Sequence, residues 1–175
     1  MKKLVLILSL ILVSVVGVKA QGGYRGFVDV GPSIGERGVS LDVTTAHGYQ
    51  FNKNWFLGGG IGLINIIETS DYDSYYDSEE WISIPLFAKV RFDMLSEKSW
   101  TFFAEANLGP CYDLEYEGVY FYGSTMLGVR KRITERIGIN MGIGCSVIPS
   151  SYYSSEYYDE VEPTAKFNIK VGVDF

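Results

Sequence analysis

A chain of 175 residues with 15 Lys and Arg against 21 Asp and Glu carries a net charge of −6. It therefore lacks the basic footprint that phosphate contacts need, which argues against nucleic-acid binding. Beyond the first 20 residues no stretch approaches the ~18 consecutive apolar residues of a transmembrane helix. Any membrane passage must then be made by closed strands, which satisfy every backbone group in lipid.

The N-terminus reads first. Lys2 and Lys3 form a basic region, Leu4 to Val16 is a nearly unbroken apolar run, and Val18-Lys19-Ala20 offers a small-residue cleavage signature before Gln21. That order predicts a secretory signal peptide over residues 1–20, too short to span well and removed on export. No cysteine follows the run, so nothing marks a lipoprotein. Residues 21–175 then suit one domain. Losing Lys2, Lys3 and Lys19 leaves 12 basic residues against 21 acidic ones, a net charge of −9.

The exported part shows period-two alternation and no helical period. It predicts eight strands, near 24–32, 39–51, 55–67, 81–92, 100–112, 119–132, 136–148 and 164–175. Most have the ~9–11 residues that a tilted strand needs to cross hydrocarbon. In the last strand Phe167, Ile169, Val171, Val173 and Phe175 share one face, and Lys166, Asn168, Lys170, Gly172 and Asp174 the other. The connectors alternate. Residues 52–54, 93–99 and 133–135 are short, 68–80 and 149–163 long, and 33–38 and 113–118 intermediate. One end of the predicted structure carries tight turns and the other carries loops.

The alternation also says which face is outside. A soluble sandwich or lipocalin would turn its polar face to water. Here one face is charged and glycine-rich, and the other carries large apolar residues throughout. A small barrel cannot hold all those large residues, whereas its interior can hold glycines and paired charges. The apolar face must face lipid, and the fold expected is an all-β, eight-stranded antiparallel up-and-down transmembrane barrel.

The signal peptide, the hairpin His47-Gly48-Tyr49-Gln50-Phe51-Asn52-Lys53-Asn54-Trp55 with Gly58-Gly59-Gly60-Ile61-Gly62, and the terminal Val171-Gly172-Val173-Asp174-Phe175 together resemble the OmpA/OmpX-type small outer-membrane β-barrels, the porin-like barrel family. The resemblance spans residues 23–175. It implies a Gram-negative outer membrane, contact with lipid and lipopolysaccharide, and recognition of the last strand, ending in Phe175, by the barrel-assembly machinery. It does not choose among structural proteins, adhesins, narrow pores and enzymes, because fold does not fix function.

The candidate residues divide by place. Arg25, Asp29, Asp42, Lys89, Arg91, Glu105, Arg130, Lys166, Lys170 and Asp174 share the inward face and must pair, since unpaired burial costs several kcal/mol. Two clusters are expected. One joins Asp29 and Asp42, facing each other if the first hairpin turns at 35–36, with Lys166, Lys170 or both; the other joins Glu105 with Lys89. They read as a plug, with a narrow gated pore as the alternative.

Most tyrosines lie in or beside the loops. Tyr72, Tyr75, Tyr76, Tyr116, Tyr152, Tyr153, Tyr157 and Tyr158, interleaved with Ser and acidic residues, suit a recognition surface or an aromatic girdle. The acidic run 71–80 offers oxygen ligands for calcium but lacks the EF-hand spacing, so it reads as a solvated loop. The glycines at 58–62 have no following helix to present amides to a phosphate and instead make room in the lumen. His47, the only histidine, lies near the short-turn end with only Thr44 and Thr45 as nearby hydroxyls, and reads as interfacial. No enzyme activity, metal or cofactor is expected. Cys111 and Cys145 fall on opposite faces and should stay unbridged. The sequence reading is thus a monomeric outer-membrane barrel with a structural or surface-interaction role.

Overall fold

The computed structural model describes residues 23–35, 38–67, 80–94, 99–115, 117–152 and 160–175, with backbone alone for 80–81, 149–152 and 160–162. The predicted signal peptide falls outside these residues. Eight strands follow in order: β1 (Tyr24–Gly35), β2 (Gly38–Gln50), β3 (Trp55–Ile67), β4 (Glu80–Met94), β5 (Trp100–Asp113), β6 (Val119–Arg132), β7 (Gly138–Tyr152) and β8 (Glu160–Asp174). Each pairs antiparallel with its neighbour, and β8 returns to β1 to close the barrel.

The short turns are built by local side chains. Asn52 Oδ1 accepts the amides of Asn54 and Trp55, both at 2.9 Å. Thr134 Oγ1 accepts the amide of Ile137 at 2.9 Å. Such side chains replace the backbone partners that a tight reversal removes. Closure at the other seam is made by Gly26 and Phe175, whose backbones exchange hydrogen bonds of 2.7 and 3.0 Å. The Phe175 ring lies over Gly26, where a Cβ would stand 2.6 Å from it.

Several strands run further than the alternation predicted. β7 and β8 stay paired to Tyr152 and Glu160, and β3 and β4 to Ile67 and Glu80. Polar residues continue these ladders because hairpin pairing persists after the hydrocarbon demand ends. β4 likewise extends to Met94, which brings Asp93 into the wall. The start of β7 moves the other way, to Gly138, because the 133–137 turn takes Arg136 and Ile137.

Inside and outside separate by parity. Leu41, Leu57, Ile61, Leu86, Leu127, Ile143 and Val171 are exposed on the outer wall. The lumen is filled without a helix or a plug domain among the described residues. Glycines on one strand receive bulky side chains from elsewhere in the wall: Phe87 fills the space at Gly60, Phe103 that at Gly128 and Met126 that at Gly142. The middle of the 58–62 glycine run is therefore a receptacle for an aromatic ring. Cys111 is buried in the lumen, Cys145 is exposed, and both thiols are free.

Candidate functional site

The lumen holds the densest chemistry among the described residues. Parity sends Arg25 and Asp29 of β1, Lys89, Arg91 and Asp93 of β4, Glu105 of β5, Arg130 of β6 and Asp174 of β8 inward. Their side chains form one continuous network. Arg130 grips Asp174 through Nε at 2.7 Å and Nη2 at 2.6 Å. Arg25 joins Asp174 at 3.2 Å and binds Asp93. Arg91 donates to Asp93 at 2.8 Å and to Glu105 at 3.3 Å. Lys89 closes the chain, 2.9 Å from Glu105 and 3.1 Å from Asp29.

Four cations and four carboxylates alternate along this chain, so the network is neutral. Neutrality and mutual hydrogen bonding make its burial tolerable, because an isolated charge would cost several kcal/mol. Phe27 lies beneath it: Arg25, Lys89 and Arg91 sit 4.7, 4.8 and 5.0 Å from its ring centroid. Arg91 also lies 3.5 Å from the Phe103 centroid. Both contacts place cations against the negative face of a ring.

A second, separate pair lies nearer the loops. Lys170 Nζ is 3.1 Å from Asp42 Oδ2, and Ser33 and Ser40 donate to the same carboxylate at 2.7 and 3.1 Å. Lys166 is buried further up the same face. Above them the wall turns apolar on one side, with Ile64, Ile66, Cys111, Tyr122 and Ile148 packed inward.

The partners differ from those expected in one respect. Asp29 pairs with Lys89 across the lumen, not with Asp42 and the lysines of β8. The ladder pairs Gly35 with Gly38, a register displaced from that of a turn at 35–36, so Asp29 faces Thr44, and Asp42 faces Gly31. That shift of the turn lowers Asp29 to the level of Lys89 and leaves Asp42 to Lys170. Glu105 stands opposite Arg91 and reaches Lys89 diagonally. Sequence reasoning missed Asp93 by ending β4 at 92, although its parity with Lys89 and Arg91 was the available signal. It also missed Phe27, which no charge pattern marks, and Tyr122, which stands beside a loop in the chain but points inward.

His47 lies on the outer face, half-buried. Tyr24 Oη is 2.6 Å from Nδ1, Thr45 Oγ1 is 3.0 Å from Nε2, and the Phe175 ring packs edge-on at 6.1 Å. These partners give the ring a packing role at the β8–β1–β2 seam. The loop tyrosines Tyr72, Tyr75, Tyr76, Tyr116, Tyr153, Tyr157 and Tyr158, and the acidic residues 71–79, lie outside the described residues; Tyr152 is described only as backbone in β7.

A closed antiparallel wall, charged within and apolar without, defines a multi-pass transmembrane β-barrel of the outer-membrane class. No family model matches the chain, and no curated protein matches it in sequence. Solved structures match its fold. OprG of Pseudomonas aeruginosa, an outer membrane protein, superposes with a TM-score of 0.55 at 9% identity, over 89% of this chain and 97% of that one. Neisserial surface protein A gives 0.52 at 11%, over 86% and 94%. The N-terminal β-barrel domain of Pseudomonas aeruginosa OprF gives 0.51 at 11%, over 89% and 100%. At these identities the likeness is one of fold: this chain has the architecture of the small outer-membrane barrels.

Proposed function

We propose that the protein is a closed structural barrel that presents an acidic, tyrosine-rich surface outside the cell. The observation that carries this reading is the neutral ion network from Arg130 to Asp29, which ties β1, β4, β5, β6 and β8 together across the lumen. A lumen cross-linked in this way is a rigid strut for loops. The reading gives the protein no catalytic role. It puts both termini in the periplasm, the loop tyrosines at the cell surface, Phe175 in contact with the assembly machinery, and lipopolysaccharide around the outer half of a monomer.

Two experiments test it. Protease on intact cells is expected to cut within 68–79 or 153–159 and to spare 95–98; cutting only at 95–98 reverses the orientation. Planar bilayers carrying the purified protein are expected to show no unitary conductance. A narrow pore is the second reading, favoured by one observation: among the described residues, both amide atoms of buried Asn168 and the hydroxyl of buried Ser146 have no hydrogen-bond partner. Buried polar groups of this kind are commonly satisfied by water, and a hydrated strip along β7 and β8 is what a conducting path would use. Steady unitary currents would favour that reading over the strut.

A further inference from the structure

The outer wall carries a groove of about 620 Å³ where β5 and β6 meet their neighbours. Register explains it. Two adjacent rows cross the wall, Trp55–Phe92–Ala104–Leu127–Ile143 and Leu57–Val90–Ala106–Thr125–Cys145. Ala104, Ala106 and Thr125 are short and form the floor. Phe92, packed at a tilt against Trp55 with ring centroids 4.7 Å apart, makes one wall, and Leu127 and Phe167 make the other.

The same two strands hold a cation at their short-turn end. Trp100 pairs with Lys131, both face outward and exposed, and Lys131 Nζ lies 5.2 Å from the Trp100 centroid. From Lys131 to Thr125 is six residues, about 20 Å of strand. At a tilt of ~35–45° that run descends about 15 Å along the membrane normal. Half of a ~30 Å hydrocarbon core is the same depth. An interfacial cation and an apolar groove are thus separated by one leaflet, the distance between a phosphate and the end of its acyl chain.

We propose that this face holds one glycerophospholipid of the periplasmic leaflet, its phosphate on Lys131 beside Trp100 and one acyl chain along Ala104 and Ala106. The leaflet assignment rests on the orientation proposed above. A second copy of the chain is the poorer occupant, because the spacing of Lys131 from the groove matches a phosphate and its acyl chain, whereas packing two apolar walls gives the cation no partner. The outward position of all these residues separates the site from the lumenal network.

Native mass spectrometry of the detergent-solubilised barrel, titrated with phosphatidylglycerol, tests the proposal. The wild type is expected to hold a 1:1 adduct that survives detergent removal. Ala106→Leu and Thr125→Leu fill the groove from adjacent strands and should each weaken that adduct at least tenfold. Lys131→Gln should weaken it several-fold and remove its salt dependence. Heat-dependent gel mobility checks that each variant is a folded barrel, and either leucine variant alone suffices if the other fails. Equal adducts in wild type and a folded leucine variant overturn the proposal. So does a shift from dimer to monomer in those variants without lipid loss, and so does preferential capture of lipopolysaccharide at Lys131. Protease mapping on intact cells fails separately if the orientation itself is wrong.

Discussion

Lys170 and Val171 are neighbours in β8, yet the first is 5% exposed and the second 46%. The difference extends around the barrel, and the two faces of one wall follow different rules. On the inner face each group needs a particular partner: Lys89 fits only because Asp29 and Glu105 are within 3.1 Å of it. On the outer face a side chain needs only to be apolar, since lipid adapts to its shape. Specific partners, whether polar or closely packed, therefore specify the lumen, and apolar character specifies most of the lipid wall.

The strongest way to break this contrast is to remove a shared cation. Lys89→Met leaves Asp29 and Glu105 buried without it, and should cost about 5 kcal/mol, the upper end of the ~3–5 kcal/mol for breaking a buried pair. Urea unfolding followed by tryptophan fluorescence measures it; a loss below that of Lys170→Met would remove Lys89 from the centre of the network. Lys170→Met, with one carboxylate partner, should cost about 3 kcal/mol. Here the register makes a sharper prediction: Asp42→Asn should restore part of that loss and Asp29→Asn should not. Rescue by Asp29→Asn instead would return the hairpin turn to residues 35–36.

The outer face responds differently. Ile143→Arg should cost about 2–4 kcal/mol near the midplane, whereas Ile143→Leu should change stability by less than ~1 kcal/mol, because lipid imposes no jigsaw. A comparable cost for both would mean that Ile143 packs against protein. The smallest effect is chemical. Reduction of the purified monomer should leave its gel mobility unchanged, because Cys111 in the lumen and Cys145 on the outer wall are both free. A mobility shift on reduction would bring the two cysteines onto one face of the wall.

Strand number, strand parity and the inside-out polarity were all legible from the sequence, because the side-chain period of a strand is two and does not drift. Residues 165–175 and 138–148 read directly into which side chain meets lipid. Strand ends were less legible. Asp93 lies just beyond Phe92, where the alternation ended β4, and continued pairing with β5 carries the strand on through Met94.

Partnership was decided by the closed barrel. A one-residue displacement of the turn slips the pairing by two, which preserves every side chain's face and so leaves no trace in the alternation, yet it moves Asp29 from Asp42 to Lys89. The ring of Phe27 beneath three cations and the fit of Phe87 over Gly60 depend on strands distant in the chain, brought together only by closure. The groove over Ala104 and Ala106 has the same origin. Short side chains on β5 and β6 become a groove only once the register aligns them between Phe92 and Phe167. Sequence determined the face of each residue because that is a local, periodic property; tertiary structure decided its neighbours because register sums over the whole barrel.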